Sequence, residues 1–451
     1  LSSPRLTRFK REATILLRIG FPVMIGNLLQ VSMSFVDTVM AGNLSPQDLA
    51  AVAIGSSLLM PVFILGIGIL MGISPIVAHH FGARELDQIG PTGRNGLVLA
   101  ILLGIPSAIV LWFTEPLLVF MGVDAALYPK TTGYAEAVSF GIIPVYIYLA
   151  LKYFNEGLAV TKPAMWISFL GLLFNIGGNY VFMYGKLGFQ PMGAIGTGYA
   201  TALVMTVMSL SMILYTYRKA AYKDYQLFKN VFQAKWSYLS ELIRVGGPIG
   251  LSMWMEVTMF AVVALIIGSM GTLEVAAHQI ALNFASLTFM LAFGVSSGIT
   301  VRVGQVFGRY GLADARYSGR VGILIATSLM AGTAVLMFAV PELIIGLYTA
   351  DPDLIQRAIL LLYMAAIFQL SDGLQVSGSG ALRGLKDTTI PMYVNFLSYW
   401  VIGLPSGWLL GIHFGYGPEG LWTGLILGLT TAAILHNVRF YLISRTFPET
   451  I

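Results

Sequence analysis

At 451 residues the chain is long enough for several soluble domains, but 57% hydrophobic against only 10% charged residues excludes that class, since a soluble domain is roughly a quarter charged. A mean hydropathy of +0.79 marks a polytopic membrane protein, and 50 glycines suit close helix approach in a bilayer. The absence of cysteine rules out disulfides and thiolate metal or redox sites, and the net charge of +5 reads as membrane topology rather than nucleic-acid binding, because the basic residues fall between apolar runs.

Runs of about 20 apolar residues predict twelve spanning helices, near residues 13–41, 50–79, 93–114, 132–155, 163–185, 193–217, 242–268, 276–302, 319–341, 356–381, 390–412 and 420–443. No cleavable signal peptide is expected, because the first apolar stretch is span-length and lacks a small-residue cleavage site. The polar stretch 218–240 divides the chain into an N-lobe (1–217), a cytoplasmic linker and a C-lobe (241–451). With the N-terminus in the cytoplasm, 23 of the 26 Lys and Arg residues fall on the inner side. Only Lys130, Lys186 and Arg357 fall outside, so both termini are expected to be cytoplasmic.

The halves repeat. A shift of 226 carries Leu17-Arg18-Ile19-Gly20-Phe21-Pro22 onto Ile243-Arg244-Val245-Gly246-Gly247-Pro248, and Gly68 and Gly72 onto Gly294 and Gly298. Later the shift is 227, pairing Gly157-Leu158 with Gly384-Leu385. Six spans per half give both repeats the same orientation, so the expected fold is all-α, two six-helix bundles related by a pseudo-two-fold axis along the membrane normal. Such a duplication argues for a transporter.

Taken in order, the first span carries Pro22, Gln30 and Asp37. Pro22 and its equivalent Pro248 either hinge their helices or simply kink them. The fifth span carries Asn175 and Asn179, one turn apart on one face; they suit an alkali cation, a hydrogen-bond network with Asp37, or plain helix–helix bonding. Thr197, near Gly193 and Gly196, adds a hydroxyl. The seventh span places Glu256 among Met253, Trp254, Met255, Met259 and Phe260, a surface suited to apolar cations or to packing, and Trp254 and Met259 are expected, with Gln30 of the first span, to line the substrate cleft. His278, Gln279 and Asn283 begin the eighth span, lining an outer cleft or resting at the interface. Asp372 lies near the middle of the tenth span. An ionised side chain at mid-membrane costs at least about 2.5 kcal/mol and is a functional-site hypothesis by default.

The repeat sharpens this, because Glu256, Asp37 and Asp372 correspond to Gln30, Val263 and Val145. No Lys or Arg is expected at matching depth, so each acid must hold a proton or a cation. No phosphate loop, H-E-x-x-H or G-x-S-x-G motif occurs, so neither direct ATP use nor enzymatic activity is expected.

These residues resemble the multidrug and toxic compound extrusion (MATE) transporters, most closely the NorM-type branch. The resemblance spans nearly the whole chain and is carried by Phe35-Val36-Asp37-Thr38-Val39-Met40-Ala41-Gly42, by Glu256-Val257-Thr258-Met259-Phe260-Ala261, by Ala276-Ala277-His278-Gln279-Ile280-Ala281-Leu282-Asn283-Phe284, by Leu382-Arg383-Gly384-Leu385-Lys386-Asp387 and by Ser398-Tyr399-Trp400-Val401-Ile402-Gly403-Leu404-Pro405. It implies antiport without a resident cofactor in a bacterial inner membrane: Na+ or H+ enters while a cationic, amphiphilic drug leaves a monomeric protein. It also implies a coupling-cation site in the C-lobe, at Glu256 and Asp372, in the N-lobe, at Asp37 with Asn175, Asn179 and Thr197, or in both. Some family members carry a Tyr four residues before the second acid, where this chain has Phe368. Two rivals remain, a lipid-linked precursor flippase of related fold, which would need an Arg-lined cavity, and a non-transporting membrane scaffold or receptor.

Overall fold

A computed structural model describes residues 4–231 and 233–445. Among them every regular element is helical. The first half comprises α1 (Pro4–Leu44), α2 (Pro46–Met71), α3 (Ile73–Ala83), α4 (Leu86–Trp112), α5 (Glu115–Phe120), α6 (Tyr128–Gly157), α7 (Lys162–Gly178) and α8 (Ala194–Arg218). The second comprises α9 (Trp236–Gly268), α10 (Thr272–Tyr310), α11 (Leu312–Ala339), α12 (Pro341–Gly346), α13 (Pro352–Gly384), α14 (Thr389–Phe396), α15 (Leu404–Trp408) and α16 (Gly417–Ile443).

Local sequence sets several boundaries. Ser45 caps α2 by accepting from the Asp48 amide, with Pro46 in the first turn. Asp351 caps α13 in the same way, with Pro352 next to it. Gly72 separates α2 from α3, and together they form one run across the membrane.

Eleven helical runs among the described residues are long and apolar enough to span a bilayer. The twelfth, expected over 390–412, is also helical but alternates α14, a π turn (Leu397–Gly403), α15 and a second π turn (Leu409–His413). Its glycines explain its close seat on α16: Gly403, Gly407 and Gly411 recur every fourth residue, facing Gly428, Gly424 and Gly420. A methyl group on Gly424 would stand 2.3 Å from the Gly407 Cα, so this is small-residue packing of the kind bilayers favour.

The chain divides into two compact units, one of Leu1–Met24, Gly82–Arg84 and Leu251–Ile451, the other of Ile25–Phe81 and Glu85–Gly250. The expected lobe boundary lies at 217–241, whereas the N-terminal part of α1 groups with the C-terminal helices and the N-terminal part of α9 with the preceding ones. The two crossing points, Met24/Ile25 and Gly250/Leu251, are 226 residues apart and each follows its proline by two residues. Close contacts hold each exchanged segment. In the first unit a Cβ on Gly294 would meet Met24 at 2.2 Å, and in the second a Cβ on Gly246 would meet the Ile69 carbonyl at 1.9 Å. In the first unit, Arg302 also grips Glu12 with two hydrogen bonds of 2.6 and 2.8 Å while Ser318 donates to the same carboxylate at 2.6 Å.

Candidate functional site

In the second unit α1 carries Asp37 toward α7 and the π turn (Asn179–Met183) that extends it. Asn175 and Asn179 donate their side-chain N–H groups to the same Asp37 Oδ1, at 2.8 and 2.6 Å. This leaves both amide oxygens inside the protein without a hydrogen-bond donor, and the Thr197 hydroxyl, from α8, is buried and unpartnered too. Buried acceptors normally find partners. A carboxylate beside oxygen atoms that lack donors is the donor set a hard monovalent cation takes, so these residues fit Na+. Tyr134 on α6 lies within electrostatic reach of Asp37 and shares a 3.1 Å hydroxyl contact with Ser56.

In the first unit α9 carries Glu256 and α13 carries Asp372, close enough to repel one another. Asp372 is buried. Two carboxylates in one apolar space cannot both stay bare, so the pair takes a proton or a cation. A third group joins them. Tyr399 is wholly buried on the π turn after α14, accepts from the Gln375 side-chain N–H at 2.9 Å, and feels both acids. Its neighbour Trp400 donates to the Met255 carbonyl at 3.2 Å, pinning that turn beside Glu256. Phe368 instead packs edge-on against Phe260 and Trp422. Both acid sites thus border a π turn, a local widening that recurs where function needs a side chain re-aimed.

Several expectations need correction. Glu256 does not lack an internal cation: Arg383 is buried, donates to the Ser296 hydroxyl at 2.8 Å and attracts Glu256; Lys152 is buried too, but beside Glu156 rather than any of these three acids. The sequence reads both as inner-side charges, because position along a span does not reveal which way a long side chain turns. Met259 does not line a cleft, being fully buried in an apolar core with Val263, Ile267 and Phe368. His278 is equally buried, accepting from the Trp422 indole at 3.2 Å, so it belongs to packing.

Gln279 and Asn283 lie on the exposed face of α10, with Asn283 accepting from the Tyr348 hydroxyl at 3.0 Å. Trp254 is partly exposed. Gln30 is half-buried and 3.4 Å from the Ser168 hydroxyl. Pro22 and Pro248 each lie within a helix that runs on unbroken.

The geometry therefore defines a helical membrane protein with one buried, acid-centred polar cluster in each unit. Known proteins agree. A family model described as MatE matches residues 22–181 and 248–409. The multidrug resistance protein NorM of Vibrio vulnificus is 40% identical over 446 residues, covering 98% of both chains, and that of Vibrio parahaemolyticus matches to the same extent. The crystal structure of the eukaryotic MATE transporter AtDTX14 superimposes with a TM-score of 0.88 at 19% identity, over 97% of each chain. An outward-facing multidrug resistance MATE transporter of the MOP superfamily gives 0.88 at 21% identity, also over 97% of each. The chain belongs to the MATE transporter family, in its NorM branch, and is a transporter rather than an enzyme.

Proposed function

We propose that the protein is a secondary multidrug antiporter that expels cationic, amphiphilic compounds in exchange for Na+ or H+. The observation that carries this reading is the pair Glu256 and Asp372, two carboxylates within electrostatic reach of one another in one helical unit. Loading of the acids from outside neutralises them and releases a cationic drug outward. Discharge into the cytoplasm restores the negative charge that attracts the next one. The Asp37 site, with its unpartnered amide and hydroxyl oxygens, supports a second station for the coupling ion. The NorM names of the relatives support the substrate class. Against the flippase, the internal cations Lys152 and Arg383 each face a carboxylate and so offer no free cationic patch for a pyrophosphate.

The N-lobe and C-lobe (1–217 and 241–451) serve as the two moving bundles, with Pro22 and Pro248 as hinges. The protein acts as a monomer in a bacterial inner membrane with both termini cytoplasmic. The test is ethidium efflux from proteoliposomes. Glu256→Gln and Asp372→Asn should each lower the ion-driven rate by at least about tenfold, ~1.4 kcal/mol of coupling, while drug still binds the purified protein. Wild-type rates in both variants would end the proposal.

A further inference from the structure

The second unit contains an ionic group that the antiport cycle above leaves unused. Near the inner end of α6, Lys152 and Glu156 are both buried, one helical turn apart. Their contact is open: the ammonium nitrogen stands 3.8 Å from Glu156 Oε1 and 3.5 Å from Asn27 Oδ1. Glu156 Oε1 and Asn27 Nδ2 are both buried without a hydrogen-bond partner. A buried ion pair repays its desolvation, several kcal/mol per ion, only with close geometry and full hydrogen bonding, and this one has neither. As a stabilising element it is poorly built. As a site that accepts and gives up a charge, it has the openness required.

Its surroundings narrow the ligand. From α6 itself, Tyr148 is within electrostatic reach of Glu156, and the Tyr153 ring centroid lies 5.5 Å from the Lys152 nitrogen. The groups that α8 and the following linker bring here, Thr216 and the Tyr222 hydroxyl, bond Asn155. From α3, Ser74 and Val77 crowd Gly157, and from α4, Arg94 donates to the Lys229 carbonyl. The one carboxylate is already faced by an ammonium, which disfavours a metal cation and leaves a proton as the charge Glu156 can take. Asn27 gives the site its lever. It lies on α1 three residues beyond Met24, where that helix passes from one compact unit to the other.

We propose that Glu156 is a proton-binding site whose occupancy is relayed through Lys152 to Asn27 and the crossing point of α1. A proton taken up by the carboxylate removes the partner of the ammonium, which then holds Asn27 alone; loss of the proton draws it back. The equivalent position in the other half is Arg383, at the shift of 227, so the relay belongs to one half only. The inference rests on the antiport reading for its purpose, though proton binding itself does not.

The experiment is an infrared pH titration of the full-length protein in lipid nanodiscs, together with proteoliposome efflux against cytoplasmic-side pH. In the wild type, acidification should produce protonated-carboxyl bands, and the wild-type-minus-variant difference should show one component that Glu156→Gln removes. Lys152→Gln should move its midpoint by about one pH unit or more, a tenfold change in proton affinity. Asn27→Ala should leave that component and flatten the dependence of efflux on cytoplasmic pH. Bands all unchanged in Glu156→Gln overturn the proposal, as does a wild-type pH profile in that variant. If Glu156→Gln does not fold, the neutral pair Lys152→Met with Glu156→Met, which replaces both charges by similar volume, carries the same expectations. Absence of any ion-driven efflux in the wild type would count against the antiport reading and leave the infrared result standing on its own.

Discussion

Asp37 spends one carboxylate oxygen on two amide donors, and this choice turns the amide oxygens of Asn175 and Asn179 away from any donor. If these atoms and Thr197 hold the coupling cation, losing one of them weakens ion binding without removing the acid. Asn175→Ala and Thr197→Val should each raise the Na+ concentration for half-maximal efflux about five- to thirtyfold, the equivalent of ~1–2 kcal/mol. A sodium titration of efflux checks this, and unchanged midpoints would reduce the cluster to helix packing. The acids and both asparagines were legible in the sequence because polar residues are rare in apolar runs and the one-turn spacing gives a common face. Tyr399, Gln375 and Arg383 were not. A tyrosine in a span reads as ordinary aromatic packing, no sequence signal marks a π turn, and an arginine near a helix end reads as topology. At Met259 and His278 the sequence leaves cleft and packing both open for a related reason: an apolar helix carries little periodic contrast, so its pattern does not separate core from cleft.

Two ion clusters tie helix ends together on the side read as extracellular. In one, Asp48 accepts from Lys130 at 2.9 Å, from the Ser45 hydroxyl at 2.6 Å and from the Ala194 amide at 3.0 Å, joining α2, α6 and α8. In the other, Arg357 donates to Glu274 at 2.6 Å and grips Glu419 with two hydrogen bonds, joining α13, α10 and α16. Glu274 and Arg357 are the repeat equivalents of Asp48 and Lys130, at shifts of 226 and 227. Two of the three cations that break the inner-side bias are therefore clasp residues, which the sequence recorded as mere exceptions.

Arg357→Gln leaves two partly buried carboxylates facing each other and should cost about 1–3 kcal/mol of stability. Lys130 is more exposed, so Lys130→Gln should cost less, about 0–1 kcal/mol. Thermal unfolding in detergent measures both, and the reverse order would contradict the clasp assignment. Among the glycines, Gly246→Leu should be the severe change, since even a Cβ there meets the Ile69 carbonyl at 1.9 Å.

At the scale of the molecule, the internal duplication was legible to the residue, down to equivalent prolines, but the exchange of inner segments was not. Nothing in an apolar run tells which neighbour will cover it. The crossing points two residues beyond Pro22 and Pro248 set a proline, which removes one helix hydrogen bond, where the chain passes between units, which suits the proposed hinges. Pro22→Ala and Pro248→Ala should keep helical content by circular dichroism yet slow efflux severalfold, and an undiminished rate in both would reduce the prolines to static kinks.

All of this depends on one property, that ion entry drives drug exit. The direct measurement is ethidium efflux from proteoliposomes of the wild-type protein, with Na+ and pH gradients imposed separately and no nucleotide present. An inward gradient of at least one ion should accelerate efflux, and its collapse by an ionophore should abolish the acceleration. Efflux indifferent to both gradients would contradict an antiporter built on Glu256, Asp372 and Asp37.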